Sequence, residues 1–180
     1  MFFMMNTQFN PQEVSTSWIE TLAMDELNMD ESGVVSFEEH LNPIHFLEES
    51  SIKFVDALRD RLEFYVTKFN EYRGGHRNEA QIKTFKISNT INDFMLFRNS
   101  LRLIFNRKSN DTISIGFLTG TGELVPARIN AVKSSVEEIH EIKAHVGPFN
   151  NISWRFHGEV VEIDALVRFY LTEFIYNSAR

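Results

Sequence analysis

Residues 28–39 read NMDESGVVSFEE, and their oxygen-bearing side chains recur at spacings that suit a hard cation. Asn28, Asp30, Ser32, Ser36 and Glu39 would supply side-chain oxygens, and Val34 its backbone carbonyl. Gly33 stands where such a loop turns sharply, and Val35 at the apolar position that follows. Calcium is held by a ring of hard oxygen ligands, and a final glutamate can chelate it through both carboxylate oxygens. These types at this spacing therefore point to calcium.

The stretch resembles an EF-hand loop over these residues and the helix before them. The resemblance implies a calcium-responsive module; apart from that calcium, no cofactor is expected of the chain. Three features depart from the family pattern. Asn28 stands at the first ligand position in place of the usual aspartate, Pro43 would cut the exit helix short, and there is no second copy of the loop. A competing reading fits the same letters: an acidic turn followed by a helix capping box of Ser36 and Glu39.

Arg98, Arg102, Arg128 and Arg155 are the candidates for holding an anion or an acidic partner segment. A guanidinium pairs with carboxylate or phosphate through two parallel hydrogen bonds, so arginines gathered on one face make a recognition surface. Arg128 and Arg155 fall at outward-facing positions of their predicted strands. Arg98 and Arg102 share a face only if one strand runs through Asn99-Ser100. The alternative is a set of scattered, solvated charges.

Phe105, Phe117, Trp154, Phe156 and Tyr170 are the candidate lining of an apolar pocket, since a curved sheet closed by a helix can hold a hydrophobic ligand among such rings. The same rings would equally serve as core. Of the histidines, His40 and His45 are five apart, as are His140 and His145, which suits neither a helix face nor a strand face. No serine sits in a Gly-x-Ser-x-Gly elbow. The TGTGE run at 119–123 reads as a hairpin turn rather than a phosphate loop, because it opens no helix.

Composition sets the frame for these candidates. The 180 residues include 17 phenylalanines and no cysteine, so the core is aromatic-rich and thiolate chemistry is excluded. Charge is unevenly distributed. Residues 1–50 carry ten Asp or Glu and neither Lys nor Arg, whereas residues 51–180 carry 18 basic against 15 acidic side chains. An acidic arm on a mildly basic body is expected to fold over the body or meet a basic partner. The net charge of −7 argues against nonspecific nucleic-acid binding. No apolar run is long enough to span a membrane, and the apolar start lacks the basic flank of a signal peptide, so a cytoplasmic location is expected.

The elements that must position these residues follow from periodicity. Val14, Trp18 and Leu22 recur at helical spacing within 12–27. Asn42-Pro43 reads as a helix start, and the stripe Val55, Leu58, Leu62, Tyr65, Val66, Phe69 and Tyr72 continues to a stop at Gly74-Gly75. Beyond Gly75 the period becomes two, with strands around Phe85–Ile87, Leu101–Phe105, Ile113–Phe117, Val125–Ala131 and Ile152–Phe156. Residues 135–146 fit either a capped helix or a strand, and Asp164 opens a final helix.

The expected fold is α+β: an antiparallel sheet of about five or six strands packed by a long amphipathic helix and a C-terminal helix. Residues 1–42 form an acidic helical extension, and residues 43–180 a single domain. The leading expectation for function is a noncatalytic protein-interaction or regulatory module that binds a protein partner or a second copy of itself. The alternative is a small-molecule-binding cup with an aromatic-lined pocket, including an enzyme acting on an apolar substrate. The third is calcium response through residues 28–39.

Overall fold

Gly33 and Gly74 mark the ends of the first two helices, each with the positive φ that L side chains resist. In the computed structural model, Gln12 and residues 14–33, 43–74, 81–126 and 138–179 are described. The chain divides into two compact units, Met1–Leu41 and Asn42–Arg180.

The described part of the first unit is one helix, α1 (Ser17–Ser32), which the Gly33 amide closes by donating to the Met29 carbonyl at 2.8 Å. It buries no residue, and Trp18, Ile19, Leu22, Met24 and Leu27 are exposed.

The second unit begins with α2 (Pro43–Tyr72), 30 residues long. At ~1.5 Å per residue it runs about 45 Å. Its buried stripe is Phe54, Val55, Leu58, Leu62 and Val66. Ser51 is tolerated inside the helix because its hydroxyl donates to the Glu48 carbonyl at 2.7 Å. Then follow β1 (Lys83–Lys86), β2 (Phe94–Arg98), β3 (Leu101–Ser109), β4 (Thr112–Leu118), β5 (Leu124–Val125), β6 (Ile139–Val146), β7 (Ile152–Phe156), β8 (Glu159–Val160) and α3 (Ile163–Ser178).

The architecture is α+β with one antiparallel sheet in the order β1-β2-β3-β4-β6-β7-β8, and β5 pairing with the end of β4. The eight strands exceed the expected five or six chiefly through β2, where the sequence suggests no strand, and β6. Asn99 and Ser100 both take positive φ and form a tight hairpin, so β2 and β3 are separate strands. Residues 139–146 are a strand rather than a capped helix, because His140 and Ile142 alternate into the core. Of the expected Val125–Ala131 strand, Val125 lies in β5 and Pro126 just beyond it, and residues 127–131 lie outside the described residues.

Alternation decides which face is which. Phe94, Leu96, Leu103, Phe105, Ile113, Ile115, Phe117 and Ile142 are buried against α2 and the α3 residues Val167, Tyr170, Leu171 and Phe174. Phe94 and Phe105 stack at 4.6 Å between ring centroids, and Trp154 stacks on Phe54 at 5.1 Å. The Trp154 indole also donates to the Ser50 hydroxyl at 3.1 Å, which ties β7 to α2. At the β1–β2 turn, buried Asp93 accepts from the Arg107 amide at 2.9 Å and from Asn106 at 2.7 Å.

Candidate functional site

The sheet has a second face, and it is neither buried like the first nor uniformly polar. Register places Phe85, Met95, Ile104, Gly116 and Ile139 side by side across β1, β2, β3, β4 and β6. The next row holds Lys83, Phe97, Arg102, Leu118 and Leu124. Phe85 and Ile139 remain 43% and 44% exposed, whereas Phe94, Phe105 and Ile115 on the core face are essentially dry. Cross-strand neighbours at this spacing touch, so the apolar members of the two rows make a stripe, with Lys83 and Arg102 interspersed in the second.

Gly116 interrupts the first row. A Cβ there would make only ordinary contacts, to Ile139 Cγ1 at 3.5 Å and the Glu138 carbonyl at 3.7 Å. The missing side chain leaves a notch between Ile104 and Ile139, open to a side chain from outside.

Charge frames the stripe. Lys83, Arg102, Lys108, Lys143 and Arg155 lie on this face, against Glu141. Glu141 is held below the usual carboxylate range by the hydrogen bond from Lys108 at 2.6 Å, by that ammonium's charge, and by Lys143. The surface is therefore apolar in the middle and basic around it.

Of the four arginines, Arg102 and Arg155 are on this open face, as outward parity requires. They lie apart: Arg102 pairs with Leu118 at one end of β4, and Arg155 pairs with Lys143, opposite Thr112 at the other. At ~3.3 Å per residue the separation along β4 is about 20 Å. Arg98 faces the opposite side, buried in the core layer, because the Asn99-Ser100 turn breaks the continuous strand that would have aligned it with Arg102. Arg128 lies outside the described residues.

The calcium loop does not assemble among the described residues. Asn28, Asp30 and Ser32 lie within α1, where side chains two apart point ~200° from each other and cannot converge on one ion. Gly33 ends the helix rather than turning a loop, because nothing from Asn28 to Ser32 breaks helical hydrogen bonding. Val34, Ser36 and Glu39 lie outside the described residues. Among the described residues no group of three His, Asp or Glu is placed to hold a metal.

The five pocket candidates separate into two sets. Phe105, Phe117 and Trp154 are core, packed against Phe94, Tyr170 and Phe54 respectively. Phe156 and Tyr170 do line a cleft of about 290 Å³, with Ile142, Val160, Leu166 and Phe169, between the β7–β8 edge and α3. Tyr170 reaches back to bond the Nδ1 of buried His140, and burial pushes its hydroxyl pKa upward. The TGTGE run is a hairpin turn: the Thr119 amide donates to the Glu123 carbonyl at 2.9 Å, and Gly122 has φ 86°.

Sequence reasoning missed the apolar stripe, although Ile104 standing at the polar parity of β3 was a signal for it. It also missed the partnership of His140 with Tyr170, which depends on packing between residues 30 apart.

Fold and surface together define an α+β domain with one face of its sheet left apolar and basic. No protein-family model, curated protein or solved structure matches the chain. Among the described residues no helix is long and apolar enough to cross a membrane.

Proposed function

We propose that the protein is a noncatalytic interaction module that binds an acidic, amphipathic protein segment on the open face of its sheet. The observation that carries this reading is the row Phe85, Met95, Ile104, Gly116 and Ile139, bordered by Lys83, Arg102, Lys143 and Arg155. Apolar surface of this kind gains free energy when covered, at about 25 cal/mol per Å². The basic border favours a partner with carboxylates around an apolar ridge and speeds its encounter. The notch at Gly116 accepts one anchoring side chain.

Zero-length carbodiimide coupling tests this directly, because it joins only carboxylates and amines already in contact. In a complex captured from the native source, partner carboxylates should couple to Lys83 and Lys143. Coupling confined to Lys53 and Lys68 on α2 would remove the support for this surface.

A second reading has its own observation. The cleft at Phe156 and Tyr170 is almost wholly apolar and opens to solvent, which suits a small hydrophobic ligand.

A further inference from the structure

Arg98 is 4% exposed, yet neither its Nε nor its Nη1 has a hydrogen-bond partner. A buried charge is normally paired, because taking a cation out of water costs several kcal/mol. The neighbours of Arg98 do not supply that pairing. Its guanidinium lies 5.4 Å from the centroid of the Phe69 ring, a cation–π contact that offsets only part of the cost. Its charge is opposed rather than balanced by a second cation. Burial lowers the Arg98 pKa, and the nearby Arg73 lowers it further.

The surroundings are ordered and specific. Asn70, in the last turns of α2, clasps Ile82 by donating to its carbonyl at 2.9 Å and accepting from its amide at 3.0 Å. Asn99, next to Arg98, donates to the Ser178 carbonyl at 2.8 Å and so fixes the hairpin to the end of α3. Arg98 is thus held rigidly where α2, the β2–β3 hairpin and α3 end together. The helix C-termini place partial negative charge nearby, but Arg98 makes no hydrogen bond to their carbonyls. Two buried, unpaired guanidinium donors beside an exposed arginine supply the charge and the N–H groups of an oxyanion site.

We infer that Arg98 and Arg73 form a binding site for a small oxyanion, a carboxylate or phosphate group, which completes the hydrogen bonding of the Arg98 fork. The site lies on the core side of the sheet and is separate from the open face, so either assignment can fail without the other. Arg98 supplies the directed hydrogen bonds. Arg73, at the surface, draws the anion in and closes over it.

The test uses the full chain titrated with inorganic phosphate, and separately with acetate, at constant ionic strength set by chloride. The Arg98 Nε–Hε resonance should shift with saturation, and the unfolding temperature should rise by several degrees for at least one of the two anions. Arg73→Gln, an exposed change, should fold normally and weaken binding at least threefold. Arg98→Met should remove the response and unfold at a higher temperature than the anion-free parent, since it deletes an uncompensated charge. An unmoved Arg98 resonance with no thermal shift in either anion would overturn the assignment. So would a thermal shift equally large in Arg98→Met, or binding unchanged in Arg73→Gln.

Discussion

The hydroxyl of Tyr170 on α3 and the Nδ1 of His140 on β6 share a buried hydrogen bond, a polar link within a largely apolar helix–sheet interface. It fixes the rotation of α3 over the sheet and turns the Tyr170 ring edge-on to Phe105, with centroids 6.1 Å apart. Tyr170→Phe should therefore cost about 1–2 kcal/mol, read as a lowered urea midpoint at an unchanged slope. The pH dependence has a definite sign. Burial raises the folded pKa of Tyr170 above its unfolded value, so its contribution is complete below about pH 10. Above that pH the unfolded chain ionises first and stability falls. Tyr170→Phe should flatten this alkaline decline.

Asp93 carries a comparable share of the opposite end of the sheet. Its carboxylate is buried and accepts from the Arg107 amide and the Asn106 side chain. Asp93→Ala leaves both donors without an acceptor, and a loss of about 2–3 kcal/mol is expected in denaturant titration. Asp93→Asn keeps one acceptor oxygen and should lose about half as much.

The apolar cleft makes a separate prediction. Ala165 is exposed on α3 and lines it. Ala165→Leu should fill the opening while changing stability by only a few tenths of a kcal/mol, since both residues favour helices. If the cleft takes apolar ligands, a fluorescent apolar probe should bind the parent and lose its signal in the variant. Equal signal in both would place the probe elsewhere.

Much of this architecture is legible in the sequence. The α2 stripe from Val55 to Val66, its proline start and its glycine stop are all written at fixed spacing, as is the alternation of β3 and β4. Other features depend on tertiary context. Asn99-Ser100 forms a tight hairpin without the glycine that usually announces one, and β2 before it is not among the strands the sequence suggests. SVEEIHEIKAHV carries both helical and strand periods, and burial of His140 and Ile142 decided for the strand. The site was less legible than the fold. Parity alone puts Arg155 on the outward face, but which strands adjoin, and hence which residues share a row, requires the register. Asn28, Asp30 and Ser32 have calcium-loop spacing, yet spacing is silent on whether the segment is loop or helix.

The central claim is that the open sheet face binds an acidic partner, and Gly116 offers the cleanest test. A Cβ there makes only ordinary van der Waals contacts, so Gly116→Glu should unfold within a few degrees of the parent. It fills the notch between Ile104 and Ile139 and places a negative charge where the partner's anchor and carboxylates would lie. The deciding measurement is the affinity of the captured acidic partner for the parent, for Gly116→Glu and for Ala165→Leu. The account predicts at least a tenfold loss with Gly116→Glu and none with Ala165→Leu. Undiminished affinity in a folded Gly116→Glu variant, or its loss in Ala165→Leu, would contradict it.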